Sequence, residues 1–105
     1  MVHVYLVRPY TQESTKKSDV FLNGKPVAVL GPTTYVMFDA PPGRNTLWVK
    51  TENDVEMLLE TEPGRIYFVQ YQRDRLFNTV TPRLKLLRQE DGKGKVLRGR
   101  RVFSG

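Results

Sequence analysis

Short runs of alternating apolar and polar residues, separated by turn signals, fill most of the 105-residue chain. The pattern is clearest over residues 20–69, where three runs rich in Val, Leu and aromatic residues are punctuated by Asn23-Gly24, Pro41-Pro42-Gly43 and Pro63-Gly64. Alternation with a period of two is typical of β-strands, whose successive side chains point to opposite faces. No window of about 11 residues repeats apolar positions at the spacing of an amphipathic helix. The pattern therefore predicts an all-β chain.

The first of these runs predicts a β-hairpin. Asn23-Gly24 is a preferred pair for a two-residue type I′ turn, because both central residues need a positive φ. Such a turn pairs Val20 with Val27. Pro26 cannot donate to a strand ladder, so the hairpin is expected near a sheet edge. The predicted register separates the apolar residues into two faces, Val20, Leu22, Val27 and Val29 on one and Phe21, Ala28 and Leu30 on the other.

Further strands are predicted on both sides of this hairpin. Their approximate limits are residues 2–7, 35–38, 45–51, 55–61, 66–72 and 83–88. Residues 73–82 are interpreted as a loop or a single helical turn, and Gln89–Lys95 as a polar, Gly-rich loop. Seven or eight short strands with hairpin turns predict an antiparallel β-sandwich of the prealbumin or immunoglobulin type, with a small up-and-down barrel as the alternative. We assign residues 1–91 to the sandwich domain and 92–105 to a basic C-terminal tail or edge strand.

Positive charge is concentrated at the end of the chain. The net charge is +6, yet residues 1–91 hold 12 basic and 11 acidic residues, whereas residues 92–105 hold five basic residues and no acid. Such a segment can contact the phosphates of nucleic acid or an anionic surface. The alternative is a solvated tail, or an edge strand whose charges discourage sheet-to-sheet pairing. The candidate anion-binding residues are Lys93, Lys95, Arg98, Arg100 and Arg101.

Residues that could support catalysis or metal binding are sparse. The chain has no cysteine, which excludes disulfides, thiol catalysis and zinc–cysteine sites within it. His3 is its one histidine and is expected to be structural or solvated. The carboxylates are expected to be solvated strand and turn charges: Asp39, Glu52, Asp54, Glu56 and Glu60. Gly92-Lys93-Gly94-Lys95 lacks the spacing of a phosphate-binding loop. We therefore expect no catalytic residue, no cofactor and no metal site, and thus no enzyme.

The aromatic residues have two interpretations. Their alternation within strands suits the core of a small sandwich, which large aromatic side chains dominate. They could also line a ligand-binding face, because aromatic rings stack on sugars and bases. The residues concerned are Tyr35, Trp48, Tyr67, Phe68 and Tyr71. Trp48 is the candidate ligand-facing aromatic, because it points away from its neighbours Leu47 and Val49.

The order of the turns resembles known bacterial domains. Asn23-Gly24-Lys25 within a hairpin, followed by Pro42-Gly43 and Thr46-Leu47, resembles the small β-sandwich modules of the PEGA type. With Pro63-Gly64 through Val69 and a closing Pro82-Arg83-Leu84, residues 2–90 resemble the bacterial family called domain of unknown function 2846. That family consists mainly of small lipoproteins and envelope-associated proteins without an assigned activity. The resemblance implies a β-sandwich in the cell envelope and no catalytic residue.

The expected function follows from this resemblance and from the missing catalytic constellation. We expect a non-enzymatic, envelope-associated binding or structural module whose partner is a protein or an envelope polymer. The alternative is binding of nucleic acid or an anionic surface through the basic C-terminal segment. No transmembrane segment and no signal peptide are visible, and a strand pattern begins at Val2. The expected location is the cell envelope or periplasm if a native leader has been removed, and the cytoplasm otherwise.

Overall fold

Nine strands and one helix build the chain in the computed structural model, which describes residues 1–9, 17–50, 54–76 and 79–103. The strands form two sheets, and the helix lies between the last two strands in sequence. The elements are β1 (Val2–Arg8), β2 (Ser18–Leu22), β3 (Lys25–Leu30), β4 (Thr34–Ala40), β5 (Gly43–Lys50), β6 (Val55–Thr61), β7 (Ile66–Leu76), β8 (Thr79–Leu87), α1 (Gln89–Arg98) and β9 (Arg100–Phe103).

The two sheets make a β-sandwich, which confirms the predicted all-β class. Sheet A has the strand order β8-β7-β1-β4-β9, and sheet B has the order β3-β2-β5-β6. The expectation of purely antiparallel pairing is wrong at two places, because β1 is parallel to β7 and β4 is parallel to β9. Parallel neighbours need a crossover rather than a hairpin. The chain meets this need for β9 by passing through α1 after β8.

The core lies between the facing sides of the sheets. Alternating residues of each strand point inward, and burying each aliphatic side chain contributes about 1.5–3 kcal/mol. The fully buried aliphatic residues include Val4 and Leu6 of β1, Val36 of β4, Val20 of β2 and Leu47 and Val49 of β5. The inner faces therefore account for the stability of the sandwich.

A β-bulge corrects the predicted register of the first hairpin. Asn23 and Gly24 have φ values of 51° and 82°, as a type I′ turn requires. The register shifts between Val20 and Phe21, so Val20 pairs with Ala28 and not with Val27. The extra residue of a bulge moves every later side chain to the opposite face. Consequently Val29 is 45% exposed and Leu30 is fully buried, which is the reverse of the predicted arrangement.

Residues 89–95 belong to the helix α1, so their interpretation as a loop is wrong. Sequence patterning missed α1 because it is short, carries two glycines and has few apolar residues. Its charges suit a helix dipole, with Glu90 and Asp91 in the first turn and Lys95 and Arg98 in the last. The domain limit drawn after residue 91 therefore falls within a helix. Among the described residues, no helix has the length and apolar character to cross a membrane.

Residues 73–82 belong largely to strands, so their interpretation as a loop or helical turn is also wrong. β7 continues to Leu76 and β8 begins at Thr79, and residues 77–78 lie outside the described part. Pro82 pairs with Arg73 within this hairpin. β8 is an edge strand of sheet A, where a proline is tolerated.

Candidate functional site

The five C-terminal cations are positioned by α1 and β9. Lys93, Lys95 and Arg98 belong to α1, and Arg100 and Arg101 belong to β9 at the edge of sheet A. Lys95 is half-buried, whereas the other four are exposed. The basic segment is thus part of the folded body.

Close packing against the outer face of sheet A holds α1 in place. Gly92 is buried against Phe68, and a Cβ atom at this position would lie 2.6 Å from Phe68 Cδ1. Phe68 in turn stacks on Tyr5, with ring centroids 5.1 Å apart. Gly99 follows the helix, and its backbone N–H donates to the Val96 carbonyl at 3.1 Å. A glycine at position 92 is therefore required for the helix to lie this close to the sheet.

A cleft of about 220 Å³ opens where the C-terminal end of α1 meets sheet A. The end of β1 and the start of β4 supply its other walls. Thr33 has a φ of 58°, a left-handed conformation that is strained for a β-branched residue. The Thr33 carbonyl accepts a hydrogen bond of 2.9 Å from the Arg100 N–H, which fixes the start of β9. The lining residues are Val7, Arg8, Pro9, Thr33, Thr34, Lys95, Arg98 and Gly99.

Three cations line this cleft, and they differ in burial. The Arg8 side chain is buried, its Nη1 donates to the Leu30 carbonyl at 2.7 Å, and its guanidinium lies 5.4 Å from the Tyr71 ring centroid. Arg8 therefore belongs to the end of the core. Lys95 and Arg98 remain as the cations of the cleft, and no acidic residue of the described chain lines it. Lys95 and Arg98 bring two positive charges to the cleft, and the buried Arg8 guanidinium adds a third behind its wall.

A second cleft on the other flank of α1 differs in charge. It measures about 410 Å³ and shares Lys95 and Arg98 with the first. Glu90 and Asp91 also line it, together with Lys85 of β8. Acidic and basic groups partly cancel there, so an anion is favoured at the first cleft rather than the second.

The outer face of sheet B carries an aromatic patch, which we define as Phe21, Trp48, Val29 and Leu58. Phe21 and Trp48 are cross-strand partners on β2 and β5, and their rings stack with centroids 4.7 Å apart at 28°. Both rings are half-buried, whereas Val29 and Leu58 are 45% and 60% exposed. Beside Phe21, a shallow depression of about 560 Å³ is lined by β2 and β3. Trp48 thus lies on the outside of the sandwich, as its alternation with Leu47 and Val49 predicts.

The other predicted aromatic residues lie on or near sheet A. Tyr71 is fully buried and Phe68 is 4% exposed, as expected for core residues. Tyr35 and Tyr67 are half-buried. Phe68 is covered by α1 rather than by sheet B, so part of the aromatic content packs on the outer face of sheet A.

Among the described polar residues of catalytic type, the structure brings His3 and Asp39 together. His3 is exposed on β1, with Nδ1 2.6 Å from Asp39 Oδ1 of the neighbouring strand. Glu56 and Glu60 are exposed on the wet face of β6, and Asp54 is exposed just before it. Glu52 lies outside the described residues. Within the described part of the chain, no three His, Asp or Glu residues converge in a group that could hold a metal ion.

Sequence reasoning missed two features of these sites. Phe21 alternates with the core residues Val20 and Leu22, and this spacing was a usable sign that it stacks outside with Trp48. Thr33 gave no such sign, because a left-handed backbone at a β-branched residue runs against its intrinsic preference. The cleft beside Thr33 also depends on α1, which the sequence pattern did not predict.

Comparison of the chain with models of protein families, with curated proteins and with solved structures finds no match. The cleft and the aromatic patch are therefore the features from which function is inferred.

Proposed function

We propose that the chain is a non-enzymatic binding module of the bacterial cell envelope that holds a neutral sugar polymer against the aromatic patch. The observation that carries the proposal is the stacked pair Phe21–Trp48 on the solvent side of sheet B. A rigid aromatic platform binds the flat, C–H-rich face of a sugar ring at little entropic cost. The envelope location is supported by the resemblance of the turn motifs to envelope-associated β-sandwich domains.

The charges around the aromatic patch favour a neutral polymer. Glu56 is paired directly with Trp48 across the strands, and Asp19 precedes Phe21 by two residues on the same face. Both carboxylates are exposed and can accept hydrogen bonds from sugar hydroxyls. Lys50 lies opposite Asp19 on the same face and Arg44 is paired with Glu60, so the charges nearly balance and a neutral ligand suits this face.

Trp48 is the one tryptophan of the chain, so its fluorescence reports on the patch directly. We expect saturable quenching or a spectral shift on titration with a soluble oligomer of N-acetylglucosamine, a common envelope sugar. Removing one stacking ring costs about 1–3 kcal/mol, so Phe21→Ala should weaken binding at least about fivefold. Ile66→Ala is the control, because Ile66 is an exposed apolar residue of sheet A. Binding that survives Phe21→Ala unchanged would remove the aromatic patch from the proposal.

The second candidate function is binding of a phosphate-bearing polyanion, either nucleic acid or an anionic membrane surface, through the basic segment. It is favoured by the placement of five cations on two consecutive folded elements, α1 and β9. Fixed cations contact phosphates without the ordering cost that a free tail has to overcome. Release of counterions would then make the affinity fall steeply with salt.

A charge-matched pair of variants tests this second function. One variant changes all five basic-segment cations to Gln: Lys93, Lys95, Arg98, Arg100 and Arg101. The control changes five exposed cations elsewhere: Lys17, Lys25, Arg44, Lys50 and Arg65. Both lower the net charge by five, from +6 to +1. Binding to a single-stranded oligonucleotide and to vesicles of anionic phospholipid should be lost only in the first. Equal loss in both would mean that net charge, rather than this segment, governs binding.

A further inference from the structure

The cleft between the end of α1 and sheet A combines features that a diffuse basic surface lacks. Lys95 is half-buried, and Arg98 comes three residues later on the same helix. Residues three apart are neighbours on a helix surface, and both side chains line this cleft as well as the second one. A ligand that met both would engage a point charge and a planar guanidinium fork, which together suit tetrahedral oxyanions.

The charge of the cleft points to a dianion. Lys95 and Arg98 supply two positive charges, and no acidic residue of the described chain lines the cleft. The C-terminus of α1 contributes a partial negative charge of about half a unit, which the two cations outweigh. A phosphate monoester carries about −1.5 to −2 at neutral pH, so it matches the cleft more closely than a carboxylate or a phosphodiester does.

The size and the walls of the cleft limit the rest of the ligand. A volume of about 220 Å³ lies below the range of about 300–1,000 Å³ that holds drug-sized molecules. Val7 and Pro9 supply apolar wall, and Thr34 adds a hydroxyl whose proton is donated to the Gly31 carbonyl at 2.6 Å. A single phosphate group with a small apolar substituent fits a cleft of this volume and lining, whereas a polymer is too large for it.

We infer that the cleft formed by Lys95, Arg98, Val7, Pro9 and Thr34 is a binding site for the monoester phosphate group of a small organic phosphate or a lipid headgroup. The site deepens the second candidate function, because it provides one defined phosphate position within the basic segment. The outer basic residues, Arg100 among them, would then contribute long-range attraction rather than contact with the bound group.

Phenyl phosphate is the probe, and two charge-matched double variants supply the contrast. Lys95→Gln with Arg98→Gln removes both cations of the cleft, whereas Lys93→Gln with Arg100→Gln removes two cations outside it. Calorimetric titration should show saturable binding that the first pair weakens at least tenfold and the second less than twofold. Equal weakening by both pairs, or no saturable binding to the wild-type chain, would overturn the site.

Single substitutions distinguish a direct loss of phenyl phosphate binding from a loss caused by misfolding. Arg98 is exposed, so Arg98→Gln should keep the thermal unfolding transition of the wild type while weakening phenyl phosphate binding several-fold. Arg98→Lys keeps the charge without the fork and should bind with intermediate affinity. An Arg98→Gln variant that is folded and binds as well as the wild type would overturn the assignment of Arg98.

Vesicles distinguish the two sources of the phosphate group. Phosphatidic acid presents a monoester headgroup, whereas phosphatidylglycerol presents a diester. Competition by phosphatidic acid vesicles alone supports a lipid ligand, and binding of phenyl phosphate without such competition supports a soluble one.

If phenyl phosphate binds while oligonucleotides and vesicles do not, the site stands and the second candidate function fails. If oligonucleotides or vesicles bind while phenyl phosphate does not, the second candidate function stands and the site is overturned.

Discussion

Asn45 joins three chain segments from a fully buried position at one end of sheet B. Its Nδ2 donates to the Pro41 carbonyl at 3.0 Å and lies 3.2 Å from Thr61 Oγ1, and its Oδ1 accepts from Asn23 Nδ2 at 2.9 Å. Asn45 is only 1% exposed. A buried amide with all its partners in place ties the Pro41-Pro42-Gly43 turn to the Asn23 turn and to the end of β6. These hydrogen bonds explain why the polar residue is tolerated inside the sandwich.

Replacing Asn45 with Ala should lower the free energy of unfolding by about 2–3 kcal/mol, because the hydrogen bonds of the amide with Pro41, Thr61 and Asn23 are lost. Urea titration followed by circular dichroism measures the loss. Thr46→Ala is the control, since Thr46 is the next residue of β5 and its side chain is exposed. That change should cost less than about 1 kcal/mol. Equal losses in the two variants would contradict a structural role for the buried amide.

At the scale of the element, α1 offers two glycines in opposite environments. A side chain at Gly92 would overlap the Phe68 ring, whereas the nearest atom to a Cβ at Gly94 is Arg98 Nη2, 3.6 Å away. Alanine is favoured over glycine within a helix by about 1 kcal/mol. Gly94→Ala should therefore stabilise the protein by about 0.5–1 kcal/mol. Gly92→Ala should destabilise it by about 1–3 kcal/mol, because overpacking outweighs the helix preference.

Thermal and urea unfolding show whether each of these two variants is more or less stable than the wild type, and we expect opposite signs. Both residues lie in α1 and undergo the same chemical change, so propensity alone predicts equal stabilisation. A stabilising Gly92→Ala would mean that α1 does not pack on Phe68 in solution. A short helix gains most of its stability from tertiary packing, and the loss of that packing would also remove the phosphate cleft.

The bulge in the β2–β3 hairpin predicts a second contrast. Leu30 is fully buried, and Leu30→Ala should cost about 2–5 kcal/mol through lost burial and the cavity left behind. Val29→Ala should cost less than about 1 kcal/mol, since Val29 is 45% exposed. Stability measurements that rank the two variants in the opposite order would restore the bulge-free register.

These elements also show which structural features can be predicted from the sequence and which cannot. The turn at Asn23-Gly24, the edge position of Pro26 and the outward Trp48 follow from local chemistry, so they were predictable. The bulge was not, because Val29 and Leu30 are both apolar and suit either face of β3, so only tertiary packing decides between the registers. Likewise α1 is stabilised by contact with Phe68, a residue more than twenty positions away in sequence. Anion binding by the five C-terminal cations stays a prediction, and the position of Lys95 and Arg98 at a cleft depends on tertiary structure.

At the scale of the whole molecule, the two outer faces of the sandwich have different chemistry. Sheet B presents aromatic and acidic residues such as Trp48 and Glu56, whereas sheet A is covered by α1 and bordered by basic β9. Because the two candidate sites lie on different sheets, they can be occupied independently. A module of this kind would hold a neutral polymer on one side and a phosphate group on the other.

α1 covers the outer face of sheet A and β9 pairs with its edge. This structural role predicts the effect of removing both elements. A chain that ends at Arg88 lacks α1 and β9, so Phe68 loses its cover and β4 becomes an unpaired edge. Burial of one large aromatic side chain contributes about 1.5–3 kcal/mol, and further loss comes from the pairing of β4 with β9. The truncated chain should therefore lose at least about 3 kcal/mol of unfolding free energy. It should also bind the dye ANS, which reports exposed apolar surface.

The control for this truncation is a full-length variant altered on the opposite side of the helix. Leu97 is 86% exposed, so Leu97→Gln should leave both stability and dye binding unchanged. A truncated chain as stable as the wild type, with no added dye binding, would show that α1 and β9 are dispensable for the fold. The basic segment would then serve binding alone. Loss of stability in the truncated chain instead means that the residues nearest the C-terminus both complete sheet A and carry its cations, so binding at the cleft and stability of the fold are coupled.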